Sequence, residues 1–227
     1  ATLYAVKDGV TYIGETYTSS VRDYAYGKFA SSTDDAYKTL LANLLKYGET
    51  AQIYRPYKAD DLATSVLSAE EQAYITTTVP SVTNRSAATS NGLTGVTLAQ
   101  NALGIASAVQ IQFVTKIADT SYTASDLYAV VSWNHKGTAM TKRIEGSDFV
   151  KMGNFYTIIF EDLCAYEGRE LVELTVYNTE GVAVSETWTY SIESYVAYRQ
   201  GITTAEATMN TLNALMNYYD AAEAYFG

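Results

Sequence analysis

The sequence predicts an α+β protein, an antiparallel β-sandwich with appended helical segments in which one hairpin-plus-helices unit occurs twice. Three observations predict it. Short strands with alternating apolar residues fill the middle of the chain, and an amphipathic helix closes each end. The C-terminal part, shifted back by 171 positions, also lies over the N-terminal part without a gap for 40 residues, 12 of them identical. Glu15-Thr16-Tyr17-Thr18 matches Glu186-Thr187-Trp188-Thr189, and Ser20-Val21 and Tyr24 match Ser191-Ile192 and Tyr195. Leu41, Leu44, Tyr47, Ala51 and Tyr54 then match Leu212, Leu215, Tyr218, Ala222 and Tyr225.

Each copy begins with a hairpin. Tyr4–Val6 turns at Asp8-Gly9 into Val10–Ile13, and Leu171–Tyr177 turns at Glu180-Gly181 into Val182–Tyr190, because Asp-Gly and Glu-Gly supply the positive φ that tight turns need. A short helical stretch follows, Ser20–Phe29 or Ser191–Gln200. A helix with Thr at its start closes the unit, Thr33–Tyr54 or Thr204–Tyr225. Leu41, Leu44, Leu45, Gly48 and Ala51 fall on one stripe of the first closing helix, and Leu212, Leu215, Met216, Tyr219 and Ala222 repeat that stripe in the second.

Between the copies, residues 56–92 hold two expected short helices, Asp60–Leu67 and Ala69–Ile75, and then a Thr/Ser/Asn-rich linker. From Gly95 the chain turns β: Gly95–Ala99, Ile105–Lys116, Leu127–Trp133, Thr138–Ile144 and Tyr156–Phe160. Val109-Gln110-Ile111-Gln112-Phe113 alternates as a strand with one buried face does. With the hairpin Leu171–Tyr190 this makes about seven strands, the number a β-sandwich uses. The expected division is 1–57 for the first repeat, 58–93 for a helical and linker segment, 94–190 for the sandwich and 191–227 for the second pair of helices. The first copy has no sandwich before it, so the chain is expected to come from a longer array with a period near 171 residues.

Composition narrows the function. In 227 residues, 48% hydrophobic and 18% charged, the chain carries a net charge of −10. That balance fits a packed core and disfavours nucleic acid or an anionic membrane as a partner. No apolar run is long enough for a transmembrane helix. One Cys, Cys164, and one His, His135, exclude an internal disulfide, a Cys-rich zinc site and an Fe–S cluster by counting. Cys164 is expected as a small buried hydrophobe, and His135 at the surface in the turn Asn134–Gly137. A Cys–His dyad would need these two isolated residues to meet. The acidic doublets Asp34-Asp35, Asp60-Asp61 and Glu70-Glu71 read as helix-terminus acids, not as a catalytic pair. No catalytic residue, metal site or cofactor is assigned.

Leu40-Leu41-Ala42-Asn43-Leu44-Leu45-Lys46-Tyr47-Gly48-Glu49-Thr50-Ala51-Gln52-Ile53-Tyr54 resembles a helix of large secreted surface proteins from clostridial, mostly gut-dwelling, Gram-positive bacteria. Tyr57–Ala63 with Glu70-Glu71, the hairpin at Val176–Gly181 and Thr189–Tyr195 resemble the same family. The resemblance implies Ig-like sandwiches with attached helices, set in long extracellular chains. It carries no catalytic residue across. The second copy departs from the motif, with Tyr219 opposite Gly48 and Glu223 opposite Gln52.

The expected function is therefore a non-catalytic extracellular module, an adhesin, spacer or scaffold, whose first partners are neighbouring domains of its own chain. Carbohydrate binding is the alternative. Aromatic rings stack on flat faces, and Trp133, Tyr190, Tyr195 and Tyr198 are the candidate ligand-binding residues, with Trp133 expected as an exposed ring. Trp188 is set aside as structural because Tyr17 is its repeat equivalent. Recognition of a host protein such as an immunoglobulin is a third class, since Tyr- and Ser-rich surfaces suit adaptable contacts. Lys116 and Asn178 lie in early and late strands, the placement that a Lys–Asn isopeptide bond would use, and the intact mass decides whether the bond exists.

Overall fold

A computed structural model describes residues 2–16, 20–105 and 108–227. The chain forms two compact units, 1–76 and 77–227. It is a mixed helix-and-strand protein with antiparallel sheets.

The first unit opens with β1 (Thr2–Lys7) and β2 (Val10–Thr16), which pair only with each other among the described residues. Asp8 (φ 52°) and Gly9 (φ 77°) make the two-residue turn that closes Lys7 on Val10, as the Asp-Gly pair predicts. Tyr4, Val6, Val10, Tyr12 and Ile13 of this hairpin are all exposed. Tyr17 lies outside the described residues.

Helix α1 (Val21–Ser31) starts at Ser20, whose hydroxyl accepts the Asp23 N–H at 3.0 Å. Helix α2 (Asp35–Tyr54) is capped by Asp34, not by the expected Thr33, because its carboxylate reaches two free N–H groups, those of Ala36 at 2.9 Å and Tyr37 at 3.2 Å. Phe29, Leu41, Ala42 and Leu45 form a core with Leu67, and the Tyr74 ring meets Phe29 edge-on at 5.5 Å. The two expected short helices are 3-10 turns, Ala63–Val66 and Glu71–Tyr74, laid over α2. Ser68 and Glu71 cap one another, so this acidic doublet serves a turn.

The resemblance motif acquires a physical meaning here. A Cβ on Gly48 would stand 3.2 Å from the Ala63 Cβ, so the small residue admits the 58–63 loop. The Gln52 amide holds that loop, accepting the Ala63 N–H at 2.8 Å and donating to the Asp61 carbonyl at 3.1 Å. Gln52→Ala strands these backbone groups. We expect the first unit to lose about 1–3 kcal/mol, read as faster hydrogen exchange at α2 and at the Ala63 amide. Unchanged exchange at both would refute this role for Gln52.

The second unit contains two antiparallel sheets. In one, β3 (Ala87–Ala88), β11 (Trp188–Tyr190), β10 (Val172–Asn178), β6 (Leu127–His135) and β7 (Thr138–Glu145) lie in that order. In the other the order is β4 (Val96–Ile105), β5 (Val109–Ile117), β9 (Phe155–Phe160) and β8 (Val150–Met152). Alternation selects one face of each for burial. Leu127, Ala129 and Val131 of β6 join Val172, Leu174 and Val176 of β10, while Ile111 and Phe113 of β5 join Ile158 and Phe160 of β9. Rings cross between the sheets, Trp133 to Phe160 at 4.8 Å and Phe113 to Tyr190 at 6.5 Å.

Several boundaries differ from expectation. The strands expected at 95–99 and from 105 are one hairpin, in which β4 continues to Ile105 through a register shift between Leu98 and Gln100. The expected strand Val182–Tyr190 is broken. Only Trp188–Tyr190 pairs with β10 as a strand, and Val184 accepts the Val96 N–H of the other sheet at 3.0 Å. The second hairpin also closes with three residues, Asn178 donating to the Val182 carbonyl at 2.9 Å, with Gly181 at φ 82°. Asn178 Oδ1 accepts the Val182 N–H at 2.8 Å and Lys116 is exposed on the other sheet, so neither residue offers the buried pairing an isopeptide bond requires.

Helix α3 (Ile192–Ile202) starts at Ser191, whose hydroxyl accepts the Ser194 N–H at 3.0 Å. Helix α4 (Glu206–Phe226) follows an Ala205 cap that forms no side-chain bond, so Thr204 caps no better than Thr33. The start and end of α1 and α3, their Ser caps and the start of α2 and α4 each differ by 171 positions. The packing differs where the motif differs. Tyr219 replaces Gly48, and the small partner sits opposite: a Cβ on Gly168 would lie 2.4 Å from the Tyr219 ring.

Candidate functional site

One cluster in the second unit gathers chemistry-bearing side chains. Strand β6 carries Trp133 and His135 on the face that buries Val131, and the Lys136-Gly137 turn follows at once, with φ 48° and 79°. Strand β9 ends at Phe160, and the chain then enters a 3-10 turn, Ala165–Glu167, with Cys164 just before it. Packing Trp133 on Phe160 brings the two strand ends together. The sole His, the sole Cys and Glu167 thereby meet, with one potential ligand atom from each within 4.8 Å of the others.

Glu167 is 2% exposed. Its Oε1 stands 2.7 Å from His135 Nδ1, and its Oε2 accepts the Cys164 N–H at 2.6 Å. A carboxylate on Nδ1 fixes the imidazole tautomer with the proton there and leaves the Nε2 lone pair as an acceptor. The Tyr166 hydroxyl lies 3.4 Å from Nε2. Burial, then a hydrogen bond with Cys164 and the charges of Cys164 and Glu167, push this phenol up to about 12. Lys136 faces the Tyr166 ring at 4.9 Å and donates to the Phe226 carbonyl at the end of α4. Cys164 is thus only partly buried, in a polar setting, and not the enclosed small hydrophobe expected from sequence.

The sequence-expected binding residues are distributed differently. Trp133 is half-buried against Phe160, not an exposed ring, and its buried indole N–H has no hydrogen-bond partner among the described residues. Tyr190 is 4% exposed. Burial, then the charges of Tyr195 and Tyr198, raise its phenol pKa. Tyr198 alone of the four is exposed, at 54%. Trp188 is buried on β11.

A shallow cavity of about 310 Å³ opens beside β11, lined by Leu93, Val96, Leu98, Trp188 and Glu186 among others. Glu186 is its single ionisable group, which leaves it without an acid–base pair. No described helix is long and apolar enough to cross a membrane. Comparison of the chain with protein-family models, curated proteins and solved structures finds no match.

Proposed function

We propose that this chain is a non-catalytic extracellular module of a large surface protein of the clostridial type, an Ig-like sandwich with attached helices that spaces or presents neighbouring domains. The observation that carries the reading is the recurrence of the α1–α2 pair as α3–α4, with both Ser caps and three helix boundaries in step at 171 positions. Strand order supports the Ig-like part. In chain order, β4-β5-β9-β8 corresponds to the A-B-E-D sheet of such sandwiches, and β11-β10-β6 corresponds to G-F-C.

Hairpin β1–β2 fits the same scheme. It precedes α1 as β10–β11 precedes α3, yet its apolar side chains face solvent, whereas Val172, Leu174, Trp188 and Tyr190 are buried. On this reading it supplies the last two strands of another copy's sandwich. The test extends the chain by placing residues 77–171 directly before residue 1. The β1–β2 amides should then exchange about a hundredfold or more slowly than in the present chain. Equal exchange in both chains would overturn the array reading.

A further inference from the structure

We infer that His135, Cys164 and Glu167 form a binding site for one divalent transition-metal ion of the Zn²⁺ class, a site not required by a spacer role. The three residues offer a nitrogen, a sulfur and an oxygen donor within 4.8 Å, which small side-chain adjustments can close to ligand–ligand distances. Cys164 and Glu167 are three residues apart around one 3-10 turn, so their donors share a side of it, and His135 enters from the end of β6.

Charge adds an independent reason. Glu167 is buried, and among the described residues its only ion-pair partner is His135. The nearby cation does not serve it, since Lys136 is engaged with the Tyr166 ring and the Phe226 carbonyl. A buried carboxylate faced by an imidazole and a thiol has no permanent cation paired with it among the described residues, and a bound metal ion supplies one. A thiolate and an imidazole select Zn²⁺ or Co²⁺ over Ca²⁺ and Mg²⁺, which take oxygen donors.

Binding requires no oxidant or reductant. The Cys164 thiol releases its proton to solvent as the Sγ–metal bond forms. His135 Nδ1 exchanges its proton for the metal while solvent protonates Nε2, and Glu167 Oε1 exchanges the imidazole hydrogen bond for the ion. Three protein ligands leave the fourth tetrahedral position to water.

The test uses the full chain, reduced and freed of metal, titrated with Co²⁺ and then with Zn²⁺. We expect saturable binding of one Co²⁺ per chain with a thiolate-to-cobalt charge-transfer band, bleached by Zn²⁺ and unaffected by excess Ca²⁺ or Mg²⁺. Cys164→Ser should abolish the band, and both it and His135→Ala should weaken binding at least about tenfold. Both side chains are partly exposed, so far-UV circular dichroism should show both variants folded. Zn²⁺ should also slow alkylation of Cys164 by iodoacetamide. Absence of saturable Co²⁺ binding, or affinity unchanged in either variant, overturns the site.

Discussion

Gly146→Ala is expected to destabilise the second unit by about 4 kcal/mol or more, because the added methyl has nowhere to go. A Cβ built on Gly146 lies 1.7 Å from the Ala124 carbonyl oxygen and 2.6 Å from that of Leu127. Both are backbone atoms, so no side chain can swing aside. The 3-10 turn they belong to is itself held: the Thr123 N–H and hydroxyl both donate to Asp126 Oδ2, at 2.8 and 2.6 Å. Moving that turn displaces Leu127, the first buried residue of β6, and with it the pairing to β10. Urea unfolding followed by fluorescence reads the loss, since Trp133 and Trp188 both lie in this unit. Gly137→Ala is the comparison. It has nothing within 4 Å but sits at φ +79°, so only the backbone penalty of about 1–2 kcal/mol applies. If Gly146→Ala falls within that smaller range, the close approach at Gly146 does not constrain the fold.

Arg169→Ala is expected to remove about 2–3 kcal/mol from the same unit, since it deletes charged hydrogen bonds to Asp220 and to buried Glu193 together. Arg169 holds Asp220 of α4 with two bonds, 2.7 Å from Nε and 2.9 Å from Nη2, and donates to Glu193 of α3 at 2.7 Å and to the Ser81 carbonyl at 3.0 Å. Glu193, 6% exposed, also takes Arg85 at 2.8 Å and the Thr83 N–H at 3.2 Å. The cluster therefore ties both helices to the 81–85 segment and to the approach to β10. The two-pronged bond to Asp220 and the burial of Glu193 separate the cluster from a solvated surface pair, which contributes at most about 1 kcal/mol. The loss should persist at about 1 M salt, where exposed pairs are screened. In the double variant Arg169→Met/Glu193→Leu the combined loss should be smaller than the sum of the two single losses, because the Arg169–Glu193 bond that each single variant breaks is then lost only once. A loss from Arg169→Ala under about 1 kcal/mol, or strict additivity, would reduce the cluster to surface pairing.

The resemblance motif and its departure illustrate how much a sequence repeat carries. Identical spacing produced a Ser-capped helix followed by a long helix in both units, yet each α-helix pair is covered by different material. Gly48 and Gln52 receive the 58–63 loop, whereas Tyr219 lies on Gly168 beside β10. The bulk has changed sides of the contact, and the volume at each interface is made up by the partner segment. A single substitution in the motif thus signals a changed partner while the helix itself is retained.

What the sequence alone determined lies within a few residues of each signal. The Asp8-Gly9 turn, the starts of α1 and α3 at Ser20 and Ser191, the apolar alternation of β5 and the stripes of α2 and α4 all depend on neighbours one to four positions away. Short edge strands escaped it, because β3 and β8, with two and three residues, are too brief to show a period. Asp34 in place of Thr33 as the cap is a one-residue choice between two competent side chains. The tertiary structure alone decided the rest. His135 and Glu167 are 32 positions apart, and Arg85 and Glu193 are 108 apart. Such pairs meet only after sheet pairing sets which strand ends coincide and ring packing of Trp133 on Phe160 sets how closely they approach. No local pattern encodes that distance, since its energy resides in the packed core between the sheets.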